Sequence, residues 1–369
     1  MFFGTLSALL GGTHYYFFVR LIEGPAFGET WLRVGAIGCA FLAVLTPGGM
    51  IAARTLPRPA STWIAGVSYT WLGVLFMLLM ALWVSEIPRL FFASTIPEPR
   101  LSRILALSVV ALVGGAAVWG LFSALGRVGI ERIAVRLPKL QEDARGFKIV
   151  QLSDVHIGPM LGRAWLERVV AEVNALEPDA VAITGDLVDG PVSRLREHVA
   201  PLAELKAKHG VFFVTGNHEY YSGADSWIAE LRRLGITVLR NERVELDGGL
   251  DIAGVDDWTA FGKGHGPDLD AALAGRDEER EVVLLAHQPR QIDEAASRGV
   301  GLMLSGHTHG GQIFPWNFFV RLQQPYVAGL VRHGEAQLYV SRGTGYWGPP
   351  LRVGAPPEIT LLELEPASS

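Results

Sequence analysis

The sequence predicts two joined parts: four N-terminal apolar helices of membrane-crossing length, then a layered α/β domain with two sheets and helices outside. Three observations predict it. Charge is unevenly spread: the first 126 residues carry 11 charged side chains (seven Arg, four Glu, no Lys, no Asp), about 9%, whereas the other 243 carry 58, about 24%, an ordinary globular value. The mean hydropathy of +0.27 is high for a uniformly soluble chain. Beyond Ile130, short apolar runs ending in polar residues alternate with stretches of helical period, the mark of a layered α/β domain.

The two parts carry net charges of +3 and −8, which sum to the whole-chain −5. This excludes one uniform domain, a disordered or collagenous chain, and a basic nucleic-acid binder. The single cysteine, Cys39, lies in the apolar part, so no disulfide framework or zinc-finger spacing exists.

A crossing helix needs about 20 apolar residues to span about 30 Å of hydrocarbon. Phe2–Ile22, Trp31–Ala53, Trp63–Val84 and Ile104–Leu125 qualify, with Tyr15, Tyr16, Trp31, Trp63 and Trp83 toward their ends, where interfacial rings belong. No basic run precedes Phe2 and no twin arginine opens the chain, which argues against a cleaved signal peptide. The helices lack the buried carboxylate or lysine of an ion path, and His14 reads as packing beside Tyr15. The block therefore reads as an anchor and not as a transporter. The short loops after the first and third helices hold Arg20, Arg33, Arg89, Arg100 and Arg103, against Arg54, Arg58 and Arg127 on the other side. Five against three favours the soluble part lying outside the cytoplasm of a multi-pass cell-membrane protein.

Residues 127–146 read as a linker and first strand, and 147–366 as the soluble domain. Buried strands are expected at Phe147–Leu152, Asp179–Thr184, Val211–Thr215, Leu250–Val255, Glu281–Ala286, Gly301–Ser305, Ala336–Ser341 and Glu358–Glu363. Helices are expected over Arg163–Leu176, whose Trp165, Val169, Val170, Val173 and Leu176 share a face, and around Arg194–Lys208.

Polar clusters sit where these strands end, the place where open α/β sheets bind ligands. In order they are Asp154-x-His156, Gly185-Asp186, Gly216-Asn217-His218-Glu219, His287, and Gly306-His307-x-His309. Five of the ten histidines follow apolar strands directly. The donors Asp154, His156, Asp186, Asn217, His287, His307 and His309 are all oxygen or imidazole groups, a set suited to Mn, Fe or Zn. Seven ligands exceed one tetrahedral centre and suit two ions sharing a carboxylate. Gly185, Gly216 and Gly306 read as turn residues supplying φ > 0.

These five clusters resemble the signature of calcineurin-like metallophosphoesterases. The continuation His309-Gly310-Gly311-Gln312-Ile313, with Trp347-Gly348-Pro349-Pro350, is similar to the YkuE-like branch, some members of which carry N-terminal spanning helices. The resemblance covers about Phe147 to Leu364 and departs from many relatives in having Glu219 where they have Asp. It implies a four-layer αββα sandwich and a dinuclear site. One ion would be held by Asp154, His156, Asp186 and His309, and the other by Asp186, Asn217, His287 and His307, with Asp186 bridging. His218 would protonate the leaving group, with Glu219 orienting its ring.

The implied function is a membrane-anchored dinuclear-metal phosphohydrolase, as a phosphodiesterase, in which a metal-bound hydroxide would attack a phosphate ester. The alternative is a catalytically silent metal-binding sensor or scaffold, against which the intact His218 speaks. Phe314-Pro315-Trp316-Asn317-Phe318-Phe319-Val320-Arg321-Leu322 has two readings: an apolar lip beside the metals for lipid, or rings filling the layer between sheet and helix. The expected partners are a phosphate ester, lipid-linked in the first reading, and the bilayer, with no nucleic acid or protein partner.

Overall fold

The computed structural model describes residues 2–261 and 265–367 and divides into two units. The first, Met1–Leu125 with Gly348–Val353, is helical. It holds α1 (Phe2–Phe17), a π-turn (Phe18–Glu23), α2 (Glu29–Thr55), α3 (Ala60–Phe92) and α4 (Arg100–Leu125). Arg352 N donates to Gly120 O of α4 within this unit (3.0 Å).

Three helices, α2, α3 and α4, are long and apolar enough to cross a membrane among the described residues, and not the four the sequence predicts. The stretch Phe2–Ile22 is not one helix. Its α-helical part ends at Phe17 after 16 residues, roughly 24 Å at 1.5 Å per residue, which is short of a bilayer core. The chain then widens into the π-turn, where Arg20 pairs with Glu86 (2.8 Å).

The second unit is built on two six-stranded mixed sheets. In chain order it contains β1 (Gly129–Leu137), β2 (Phe147–Leu152), α5 (Arg163–Asn174), β3 (Ala180–Thr184), α6 (Val192–Val199), β4 (Val211–Val214), α7 (Asn217–Ser222), α8 (Ala224–Arg233), β5 (Thr237–Val238), β6 (Glu242–Leu246) and β7 (Leu250–Gly254). It continues with α9 (Leu269–Ala272), β8 (Glu281–Leu285), α10 (Ile292–Ser297), β9 (Leu302–Ser305), α11 (Trp316–Val320), β10 (Gly329–His333), β11 (Ala336–Val340) and β12 (Glu358–Pro366). The orders are β1-β12-β2-β3-β4-β5 and β10-β11-β9-β8-β7-β6.

Alternation along each strand explains the layers, because successive side chains point to opposite faces. Val283 and Leu285 of β8 join Ile149, Ala182 and Phe212 of the other sheet in one buried cluster. Val282 and Leu284 point the other way, against Leu269 and Ala272 of α9 and Ile292 and Ala295 of α10. Strands buried on both faces read as unbroken apolar runs, which is why they are legible. Each fully buried aliphatic side chain contributes about 1.5–3 kcal/mol, so Leu166, Val169, Val170 and Val173 hold α5 by packing.

Register positions the polar clusters. Leu152 pairs with Ile183, and Ile183 with Phe213, in parallel. In the second sheet Leu285 pairs with Leu304. All these strands end at one edge of the two-sheet stack. Gln151 Nε2 donates to Ser305 O (3.0 Å) and His287 Nδ1 to Thr184 O (2.8 Å), joining the sheets there.

Candidate metal centre

The seven predicted donors come together at that edge. Asp154, His156 and His309 offer atoms within 4.8 Å of one another, and so do Asp186, His287 and His307. Asp186 lies between the two groups, its Oδ2 at 3.2 Å from His287 Nε2 and 3.9 Å from His156 Nε2. Asn217 Oδ1 is 3.3 Å from His287 Nε2. His287, which the sequence singles out by its place directly after an apolar strand, is fully buried among these donors. Asp154 and His307, 153 positions apart, meet directly: His307 N–H donates to both Asp154 carboxylate oxygens at 3.0 Å.

The donor set fits cations. His156 Nδ1 donates to Asp189 Oδ1 (3.0 Å) and His287 Nδ1 to Thr184 O, so the Nε2 atom of each ring turns into the centre. There His156 Nε2 meets His309 Nε2 at 3.0 Å, and His287 Nε2 meets His307 Nδ1 at 3.2 Å. Ring nitrogens facing each other repel unless a proton or a cation lies between them, and a proton fixed on the far nitrogen is the usual arrangement of metal-ligating histidine. The potential agrees. Burial alone would lower the His287 pKa, but the charge of Asp186 outweighs it and holds the ring well above its usual value. His307 is lowered by burial and by the charge of His287.

Five of the donors sit in the left-handed backbone region: Asp154 (φ 51°), His156 (51°), Asp186 (52°), His307 (70°) and His309 (52°). For residues other than glycine this conformation is uncommon and strained, and such strain gathers at functional sites. The neighbouring glycines serve a different end from the one the sequence predicts. Only Gly185 has positive φ (86°); Gly216 has φ −104°. What Gly216 and Gly306 provide is room, since a Cβ on Gly216 would overlap Asp186 Oδ1 and one on Gly306 would overlap Ser153 Oγ and Asp154 Oδ2.

His218 stands in the first turn of α7 beside Asp186, its N–H donating to Asp186 Oδ1 (2.8 Å) and its Nε2 4.0 Å from Asp186 Oδ2. Its ring is oriented by Asp189, not by Glu219: Nδ1 donates to Asp189 Oδ1 at 2.6 Å. One carboxylate oxygen thus receives both His156 and His218. Burial alone would lower the His218 pKa, but the Asp189 hydrogen bond and the charges of Asp186, Asp189 and Glu219 hold it up at about 9. Glu219 instead accepts backbone N–H bonds from Gly216 (2.7 Å), Leu187 (2.8 Å) and Asp186 (3.0 Å), tying the loop after β4 to the loop after β3. Burial and the Asp186 charge raise its pKa to about 7 against the pull of those amides.

Asp189 is the residue that sequence reasoning missed. Its signal was its place three residues after Asp186 in the same loop. The bridge between Ile157 and Val188 carries that loop alongside Asp154-x-His156.

Phe314 (57% exposed), Trp316 (50%), Phe318 (58%), Phe319 (42%) and Leu322 (82%) form an exposed ledge on and around α11, so the reading in which these rings fill a layer is corrected. The helix is too short to bury a face, and none of its residues is buried.

The calcineurin-like phosphoesterase family matches residues 147–311. An uncharacterized metallophosphoesterase of Helicobacter pylori is 44% identical over 250 residues, 67% of this chain and 66% of that protein. The match therefore takes in slightly less than two thirds of that relative's length. A transmembrane protein with metallophosphoesterase domain from Danio rerio is 37% identical over 328 residues, 83% of this chain and 74% of that one. The uncharacterized metallophosphoesterase YkuE of Bacillus subtilis is 34% identical over 232 residues, 60% of this chain and 79% of that one. This chain belongs to the calcineurin-like metallophosphoesterase family.

Proposed function

From that membership we propose that the protein is a membrane-anchored dinuclear-metal phosphodiesterase acting on a lipid-linked or membrane-proximal phosphate ester. The observation that carries the hydrolytic reading is the convergence of His156, His309, His287 and His307, nitrogen to nitrogen at 3.0–3.2 Å, around Asp186. Asp154, His156, Asp186 and His309 would hold one ion, and Asp186, Asn217, His287 and His307 the other. Bound there, two divalent ions (Mn, Zn or Fe) would neutralise phosphate charge and lower the pKa of water toward about 7.

The chain's own groups supply the rest. Asp189 holds the His218 ring by Nδ1, which leaves Nε2 to carry a proton toward the departing oxygen. A water oxygen bonds to phosphorus, the bond from phosphorus to the leaving oxygen breaks, the His218 proton goes to that oxygen, and the water's proton passes to solvent. Glu219 keeps the two ligand loops in register.

The full chain is the right object for tests, because Gly348–Val353 counts with the helical unit. In detergent, Mn- or Zn-dependent hydrolysis of a chromogenic diester and of a monoester is compared for wild type, Asp186→Asn and His218→Ala. Asp186→Asn is expected to lose metal and activity together, while His218→Ala keeps its metal and loses about 10²–10⁴-fold in kcat. Diester turnover surviving in Asp186→Asn would overturn the bridging role.

The lipid reading is supported by the exposed ledge and by the three long apolar helices, since tethering raises the local concentration of membrane-borne substrate. Replacing Trp316, Phe318 and Phe319 with Ser is expected to impair hydrolysis of a vesicle-borne phosphodiester several-fold more than that of a small soluble one. Equal losses would count against it. The arginine distribution supports a catalytic unit on the non-cytoplasmic side.

A further inference from the structure

Two aromatic rings stand at His218 that neither the core nor the donor set uses. Tyr221, one turn further along α7, lies 5.3 Å from the His218 ring at 65°, and Trp347 lies 5.6 Å away at 76°. Both are more than half exposed, Tyr221 at 66% and Trp347 at 53%. Apolar rings left in water forgo burial free energy, so packing of this unit does not explain their place.

Trp347 is also held firmly. Its N–H donates to Gln312 Oε1 (3.0 Å) and its carbonyl accepts from Gln312 Nε2 (2.9 Å), a two-point clamp on the backbone. Gln312 itself sits in the left-handed region (φ 50°), three residues after the donor His309. The loop that carries the donor His309 thus also fixes the backbone bearing an exposed indole beside the candidate acid.

We infer that Trp347 and Tyr221 form a subsite for the leaving group, and that this group is an alcohol carrying a ring with an apolar face, such as an aryl group or a sugar. The inference rests on the phosphodiesterase reading above. If His218 Nε2 protonates the departing oxygen, that oxygen must come within hydrogen-bond reach, about 2.6–3.2 Å. Whatever the oxygen carries then lies against the two rings that pack edge-on to the same imidazole. Open-chain groups gain little from such walls, whereas a ring gains a stacking contact.

The test uses the full-length protein in detergent with manganese and two methyl phosphodiesters, one with a 4-nitrophenyl leaving group and one with an open-chain fluoroalkyl leaving group. Dividing each variant's kcat/KM by that of wild type on the same ester cancels the intrinsic difference between leaving groups. Trp347→Ala is expected to lose about tenfold on the aryl ester, the size of one stacking contact, and at least fivefold less on the fluoroalkyl ester. The loss should sit mainly in KM and be largely restored by Trp347→Phe. Tyr221→Ala, at a mostly exposed helix position, should repeat the pattern in smaller measure and carries the test if Trp347→Ala purifies without metal.

Equal losses on both esters, or no loss on either, would overturn the subsite while leaving the hydrolase reading intact. Wild type that binds metal yet hydrolyses neither diester would overturn the phosphodiesterase reading and the subsite with it.

Discussion

Buried histidines occur in both units, and the contrast between them shows what marks a functional one. In the helical unit His14 is buried, with Nδ1 donating to Leu10 O (2.8 Å) and Nε2 accepting from Trp71 Nε1 (3.1 Å). Both nitrogens have a matched protein partner, so this ring needs nothing further. In the α/β unit, His156 and His287 are equally buried, but each has one nitrogen fixed outward and the other pointed at another imidazole. Burial is therefore not the signal. The signal is where the second nitrogen points, because facing lone pairs ask for a cation while a donor facing an acceptor asks for none.

Glycines sharpen the contrast most. Gly306→Ala would push a methyl into Ser153 and the Asp154 carboxylate, so metal affinity and activity should fall together by about a hundredfold, the upper end for a lost ligand-supporting contact. Gly114→Ala and Gly115→Ala of α4 meet nothing within 4 Å and should leave thermal stability unchanged or slightly raised. Elemental analysis and a melting curve on each variant check both halves, and normal metal content in Gly306→Ala would break the comparison.

A smaller effect is expected at Asp189. Asp189→Asn keeps the shape but cannot anchor both His156 and His218 as an anion, so kcat should fall about 10–100-fold while stability changes little. Steady-state kinetics would show it, and an unchanged kcat would mean that the two rings are oriented without it. The smallest effect is expected at His14. His14→Phe should leave metal content and kcat/KM within about twofold, at the cost of two hydrogen bonds, on the order of 2 kcal/mol, seen in the melting temperature. A large loss of turnover would give His14 a role that its satisfied hydrogen bonds do not suggest.

Much of the α/β unit could be read from the chain because its central strands are buried on both faces. Phe147–Leu152 coincides with β2, and the expected Val211–Thr215 and Glu281–Ala286 each overrun their strands by one residue. Short or half-exposed strands were not legible: β5 has two residues, and β6 and β10 alternate without a continuous apolar run. The first apolar stretch misled because composition cannot show where an α-helix gives way to a π-turn. The ledge around α11 could equally have been core, since a run of aromatics carries no sign of which side faces water.

By itself the sequence determined the two-part organisation, the strands and the donor residues placed at their ends. Each is a local matter: apolar runs must be buried, and polar residues directly after them emerge at the strand ends. Only the tertiary structure decided which donors face one another across Asp186, that Asp189 and not Glu219 orients His218, that Gly216 and Gly306 leave room for carboxylates, and that Trp347 stands beside His218. Those relations join residues up to about 150 positions apart through sheet register and close packing, and no local pattern of residues encodes a distance in space.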